Sequence, residues 1–241
     1  NSKNYSIKSL SESFVKSKRL DAEYYQDKYD SFEKAIRNYH NGYSTLNNFF
    51  KNISDKCSKN LPEYSYVEIG DINVETGDAS YNIIKTKELP ENAKVMAQKG
   101  DILVSTVRPN RGAIAILQDA FLVSGAFTVL RSNGAYSSQT LQVLLRNKIY
   151  KEWLLKFNVG TSYPVIKDAD ILNLEIPLIP IDLQYQISQK VQESFKLRKQ
   201  SKDLLNKAVK AVDIAIEKSE EDAIKWLKEN TNEYFTNDKL K

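Results

Sequence analysis

Two arginines and an asparagine lie within four positions of one another in the stretch GDILVSTVRPNRGAIAIL, residues 100–117. Apolar runs flank these polar residues on both sides, a pattern typical of a β-hairpin whose tip carries Arg108, Asn110 and Arg111. Arginine and asparagine side chains can pair in bidentate geometry with the edges of guanine and adenine in the major groove of DNA. The tip therefore predicts base contacts, and Pro109 limits the conformations that binding would fix.

A purely structural role for the same residues is the alternative. Arginine has no conformational preference for turns, so its presence at the tip needs another reason. One arginine could pair with Asp101 or Asp119 at the base of the hairpin, while Asn110 only makes a turn. The sequence leaves both roles open.

The stretch GTSYP, residues 160–164, is a second candidate contact region. Thr161 and Ser162 offer hydroxyl and backbone donors that suit phosphate oxygens, and Lys167 adds a positive charge nearby. Tyr163 can hydrogen-bond a phosphate through its hydroxyl group or pack against protein. A turn that shapes the exit from the domain would also explain Thr161 and Ser162.

Two loops are weaker candidates for DNA contact than these two regions, and two tryptophans are not candidates. The loops 73–82 and 124–126 are secondary candidates for DNA contact. Trp153 and Trp226 lie on helical stripes, which favours packing over base stacking.

The charge of the chain is mild and unevenly distributed. The sequence has 35 Lys and Arg against 31 Asp and Glu, a net charge of +4. Between residues 81 and 170 we count twelve basic and seven acidic residues, so the surplus of five lies around the predicted hairpin. Such a surplus fits a DNA-binding surface, and it also fits an ordinary solvated face.

Most catalytic constellations are missing from the sequence. His40 is its only histidine and Cys57 its only cysteine, which excludes a histidine-based triad, a His/Cys metal cluster and an internal disulfide. The nearest two glycines are seven residues apart, which excludes a glycine-rich phosphate loop. The motifs of a DNA methyltransferase are also missing. We therefore expect a non-catalytic protein with no metal and no cofactor.

The single cysteine and the hydropathy indicate the compartment. A chain with one cysteine is typical of a reducing environment, and no apolar run reaches membrane-spanning length. We expect a cytoplasmic protein without membrane contact.

Three segments must position these residues. Aromatic residues at helical spacing predict a helix over 20–41, with Asp21 as N-cap and Gly42 as stop. Residues 43–177 predict an α+β domain with a curved, mainly antiparallel sheet and one helix over 138–157. The strand signals are short apolar runs bounded by turn formers, at 66–69, 102–107, 113–117 and 127–130.

The third segment predicts one long helix. Residues 181–230 contain neither proline nor glycine, and a helix of this extent would be about 70 Å long. Such a length must pack against another helix, either the first one or one from a second copy, in a coiled-coil-like spacer. The resulting division is a helical segment over 1–42, a recognition domain over 43–178 and a spacer helix over 179–241.

Three stretches together resemble the DNA-specificity subunits of type I restriction–modification systems. RLDAEYYQDKY, residues 19–29, resembles the helix before a target-recognition domain, and residues 100–117 resemble its hairpin. GTSYPVIKDADILNLEIPLIPIDLQYQI, residues 160–187, resembles the exit into the long helix. Ile179 replaces a proline of the family pattern, and Leu183 stands where an acidic residue is common before Gln184.

The resemblance implies a sequence-specific subunit that binds double-stranded DNA and directs methyltransferase subunits, with a restriction endonuclease subunit as a further candidate partner. Family members carry two recognition domains and two long helices, whereas this chain has room for one set. The resemblance thus implies a half-subunit that forms a homodimer through its long helices and binds a bipartite, symmetric target.

Two other interpretations remain open on the sequence alone. The chain could be the detached specificity region of a larger fused restriction–methyltransferase enzyme. It could also be a non-catalytic protein-interaction scaffold, in which case any binding would not depend on DNA sequence.

Overall fold

The computed structural model describes residues 7–15, 17–159 and 164–235, with side chains to residue 231. The chain divides into two compact units, with the boundary between Ser188 and Gln189. No helix within these ranges is both long and apolar enough to cross a membrane.

Among the described residues of the first unit, ten strands form three small sheets. The orders are β1–β10, β2–β9–β6–β7 and β4–β3–β8–β5, and every neighbouring pair except β3 and β8 is antiparallel. An α+β fold with mainly antiparallel strands is thereby confirmed, although the strands divide among three sheets. The strands are β1 Tyr43–Thr45, β2 Phe50–Asn52, β3 Glu63–Val67, β4 Asn82–Lys85, β5 Ala93–Ala97, β6 Ile102–Ser105, β7 Ile114–Ile116, β8 Phe121–Ser124, β9 Phe127–Ser132 and β10 Glu175–Pro177.

The predicted hairpin forms from β6 and β7, with Leu103 opposite Ala115. Every residue of both strands is buried. Their apolar side chains join those of β5, β8 and β9 in one core cluster, which includes Val123 and Val129. A hairpin buried on both faces gives its tip a rigid base.

The first helix is shorter than the sequence pattern predicts. Helix α1 covers Asp27–Arg37, preceded by a single 3-10 turn over Ala22–Tyr25. Asp21 makes no side-chain cap because its carboxylate binds the Arg19 guanidinium at 2.8 and 2.6 Å. The expected N-cap therefore serves an ion pair.

The helix predicted over 138–157 is interrupted at Asn147. Helix α2 covers Ser138–Arg146 and α3 covers Lys148–Leu154. Asn147 has extended backbone angles, and its Oδ1 accepts the N–H of Ile149 at 2.9 Å, which caps the second helix. A short helix α4, Asp168–Leu172, follows residues 157–159 and 164–167, which we call the exit segment.

The long C-terminal helix is confirmed, but it also has a break. Helix α5 covers Ile181–Glu217 and α6 covers Glu220–Phe235. Ser219 Oγ accepts the N–H of Asp222 at 3.1 Å, the geometry of an N-cap. The 37 residues of α5 correspond to about 55 Å of helix.

The start of α5 is fixed within the first unit by Gln184. This buried side chain accepts the N–H of Ser137 at 2.7 Å and donates to the Ile179 carbonyl at 2.8 Å. Ser137 also caps α2, so one polar side chain joins the beginnings of two helices. Buried amides of this kind specify geometry because an unmatched donor or acceptor is costly.

Candidate nucleic-acid interface

The tip of the β6–β7 hairpin is a short 3-10 turn over Pro109–Arg111. Left-handed residues bound it on both sides, Arg108 with φ +47° and Gly112 with φ +75°. Arg108 and Lys18 are the non-glycine residues with positive φ among those described. A left-handed conformation costs an arginine roughly 1–2 kcal/mol, so the surrounding structure must hold it there. Such strain is a marker of functional sites.

The turn separates its residues by exposure. Pro109 is buried, whereas Asn110 and Arg111 are exposed and Arg108 is half-buried. The proline thus anchors the tip in the protein while the next two side chains face solvent. This is an arrangement in which Asn110 and Arg111 can contact a large ligand.

Of the two carboxylates proposed as structural partners, Asp101 is already paired with another arginine. Asp101 is 2% exposed and receives two hydrogen bonds from the Arg131 guanidinium, at 2.8 and 2.7 Å. This contact raises the pKa of Arg131. Asp119 accepts the N–H of Ala120 at 2.8 Å. Within the described ranges no carboxylate lies at ion-pair distance from Arg111, so its positive charge is available to an anionic ligand.

The exit segment runs beside the hairpin tip. Val159 donates its N–H to the Val165 carbonyl at 2.9 Å, and Val165 forms a β-bridge with Val107. The Arg108 N–H donates to the Pro164 carbonyl at 2.9 Å, which helps hold the left-handed residue. Thr161, Ser162 and Tyr163 themselves lie outside the described residues. Pro164, the last residue of the stretch 160–164, contacts the tip through the hydrogen bond from Arg108.

Lys167 follows this segment on the surface. Its backbone N–H donates to Asp170 Oδ2 at 2.9 Å at the start of α4, while its side chain is exposed. The neighbouring carboxylate of Asp168 accepts from Thr128 at 2.5 Å and from Asn52 at 2.9 Å. Among the described side chains Lys167 has no ion-pair partner. Its positive charge is therefore exposed at the start of α4.

The sequence model of the type I restriction modification DNA specificity domain matches residues 42–209. This range is more than half of the chain of 241 residues. The chain belongs to this family. The match includes the hairpin, the exit segment and most of α5. It confirms the resemblance to this family on two of the three sequence stretches, and residues 19–29 lie before the matched range.

Relatives of known type agree with this assignment. The type I restriction enzyme MjaVIII specificity subunit of Methanocaldococcus jannaschii is 26% identical over 129 residues, 49% of this chain and 30% of that protein. The crystal structure of the HsdS subunit from Thermoanaerobacter tengcongensis gives a TM-score of 0.56 at 25% identity, over 72% of this chain and 46% of that one.

A second solved chain gives a similar result. It comes from the structural analysis of complex assembly and conformational transition in the type I R-M system, with a TM-score of 0.56 and 26% identity. The match covers 71% of this chain and 46% of that one. The specificity domain thus spans less than half the length of these relatives.

Arg19, which lies before the range that the family model matches, makes contacts in the structure with the exit segment. The Arg19 guanidinium donates to the carbonyls of Phe157 and Asn158 at 3.3 and 2.9 Å and lies over the Tyr24 ring at 4.7 Å. Asp21 holds this guanidinium in place, and the contact lowers the pKa of Asp21. Arg19 therefore anchors the exit segment at Phe157 and Asn158. In the sequence, the Arg-x-Asp spacing of Arg19 and Asp21 was the available signal for an ion pair at this position.

The secondary loops differ in their fit to a contact role. Arg146 and Gln142 of α2 hold the loop 73–82 through backbone carbonyls, including Thr76 at 2.8 Å and Gly77 at 3.2 Å. In the turn 124–126, the Ser124 hydroxyl is buried and accepts from Asn92 at 3.0 Å, so it is not free to contact DNA.

Two further sequence observations can be placed in the structure. Trp153 is buried in the core, as expected for a packing residue. The residues described contain no group of three His, Cys, Asp or Glu side chains that could hold a metal ion.

Proposed function

We propose that this specificity domain binds double-stranded DNA and recognises its sequence through the hairpin tip. The observation that carries the proposal is the exposure of Asn110 and Arg111 on an anchored, strained turn, in a family of DNA specificity domains. A rigid base lowers the entropy lost on binding, which favours side chains that must match base edges in geometry.

The candidate residues divide into two roles. Arg111 and Arg108 are suited to O6 and N7 of guanine, and Asn110 is suited to N6 and N7 of adenine. Lys167 is suited to the phosphate backbone, as are Thr161, Ser162 and Tyr163 by residue type. The first group would determine which base sequence the domain prefers. The second group would determine the orientation of the domain on the duplex and its overall affinity.

The domain directs the partner subunits that carry out the chemistry to their DNA target. Its partners are methyltransferase subunits, with a restriction endonuclease subunit as a further candidate, and its location is cytoplasmic. In this proposal residues 1–42 support the spacer, residues 43–178 bind DNA and residues 179–241 form the spacer and dimerisation helix. The domain itself carries no catalytic residue.

A homodimer formed through the long helices would bring together two recognition domains for a bipartite DNA target. On α5 an exposed apolar stripe recurs at steps of four, three and four residues, the spacing of a coiled-coil seam. A two-fold pair of domains would then contact two related half-sites at a fixed separation. The stripe residues are Leu205, Val209, Val212 and Ile216.

A salt series on the full chain tests the DNA-binding proposal. Neutralising phosphates releases counterions, so affinity for a duplex should fall steeply and linearly on a log–log plot as salt rises. Binding that does not respond to salt, or no binding to duplex DNA at all, would instead support a protein-interaction scaffold.

A further inference from the structure

Helix α3 places a lysine against the hairpin tip. A Cβ atom built on Gly112 would lie 2.7 Å from Lys151 Cδ and 3.8 Å from its Cγ and Cε. The aliphatic stem of Lys151 therefore covers the glycine that ends the tip turn, at the residue next to Arg111. A packed stem fixes where the ammonium group can go, since lysine commonly packs its methylenes on protein and keeps its charge in solvent.

Lys151 differs from two other partly buried cations of this unit, which each bind a carboxylate. Arg131 binds Asp101, and Lys156 binds Glu33. Within the described part of the chain, neither Lys151 nor Arg111 has a carboxylate at ion-pair distance.

The stem of Lys151 packs on Gly112, the residue after Arg111, and its ammonium group has no carboxylate partner among the described residues. That charge is therefore placed to attract an anion that reaches the tip.

We propose that Lys151 binds a backbone phosphate of the DNA beside the bases that the tip reads. The inference rests on the proposed function and adds a residue from a different element to that interface. A phosphate is the matching group because the ammonium is a compact point charge without the planar fork that reads base edges. The stem fixed on Gly112 reduces the side-chain entropy lost on binding.

The test compares Lys151→Gln with Lys148→Gln in the full chain. Both variants remove one positive charge from α3, but the Lys148 side chain is 87% exposed, and its Nζ lies 3.8 Å from Glu152 Oε1. Binding is measured to two duplexes. One is enriched from a randomised pool by the unmodified chain, and the other has the scrambled sequence of the first. Lys151→Gln should weaken binding to both roughly three- to tenfold and reduce the slope of log affinity against log salt by about 0.9.

The ratio between the two duplexes should not change, because a phosphate contact carries no sequence information. Lys148→Gln should leave the slope near that of the unmodified chain. Lys151→Arg, which keeps the charge and can pack its stem, should restore most of the slope. This third variant separates loss of a contact from loss of folding.

Three results would overturn the inference. Equal slopes of log affinity against log salt for Lys151→Gln and Lys148→Gln would show a general effect of charge on α3 and overturn the inference. The proposed function would still stand in that case, because the unmodified chain would still discriminate between the two duplexes. A changed ratio between duplexes in Lys151→Gln would show that Lys151 reads a base or shapes the tip. No binding of the unmodified chain to either duplex would remove the proposed function and the inference together.

Discussion

Arg111 is the side chain on which base recognition depends most in the proposed function. It is exposed at the end of a turn anchored by the buried Pro109, and its charge has no carboxylate partner among the described residues. Arg111→Ala should relax the preference at one base pair by about 1–3 kcal/mol and leave other positions unchanged. Competition binding against duplexes substituted one position at a time measures this effect.

Lys99→Ala is the matched control for this prediction. Lys99 is exposed and precedes β6 at the end opposite the tip, and the change removes the same charge. It should weaken all duplexes slightly and alike. If Arg111→Ala gave the same uniform loss, Arg111 would be a general electrostatic contributor and not a base reader.

At the scale of elements, the hairpin tip depends on contacts from distant parts of the chain. Arg19 holds the carbonyls of Phe157 and Asn158, and the Pro164 carbonyl in turn holds the backbone of Arg108. Arg19→Gln should lower DNA affinity by about 0.5–2 kcal/mol, the range seen when residues outside a site modulate it. Equilibrium binding to the enriched duplex measures the loss.

Arg37→Gln controls for the loss of an ion pair as such. Arg37 forms a comparable two-bond pair with Glu175, at 2.8 and 2.7 Å, with no contact to the exit segment. Its substitution should lower thermal stability about as much as Arg19→Gln while sparing DNA affinity. Equal affinities for the two variants would show that Arg19 has no positioning role.

The Arg19–Asp21 pair also defines a pH dependence. Because the pKa of Asp21 is lowered in the folded chain, the pair stabilises the fold above the ordinary carboxyl pKa of about 4. That contribution disappears as pH falls through the lowered value. The anchor should therefore be intact at neutral pH and loosen only in acid.

Local sequence patterns predicted some elements well and missed others for identifiable reasons. The hairpin and the long helix were predictable because apolar periodicity dominates both. The breaks at Asn147 and Ser219 were missed because each lies inside a continuous helical stripe, and only the capping side chain reveals it.

The candidate site was only partly accessible to sequence reasoning. Asn110 and Arg111 were identified by residue type and position in the turn. Lys151 and Arg19 were not identified as parts of the site, because contacts with Gly112 and with the exit segment arise from tertiary packing. Sequence spacing within one element carries no information on such pairs.

At the scale of the whole molecule, the central question is whether two copies associate. The stripe on α5 predicts a dimer in micromolar solution, since paired helices would remove its apolar side chains from water. Val209→Asp places a charge in the stripe and should give a monomer by sedimentation velocity. Asn206→Asp, an exposed position one residue beyond Leu205, should remain dimeric. A monomeric unmodified chain would contradict self-association through α5.

The most direct test of the account is selection of duplexes from a randomised pool by the full chain, followed by sequencing. We expect enrichment of a defined motif made of two related half-sites with an unselected gap, because a two-fold pair of tips would read bases at a fixed separation. A pool that is retained without enrichment of any motif would contradict sequence recognition by the hairpin tip.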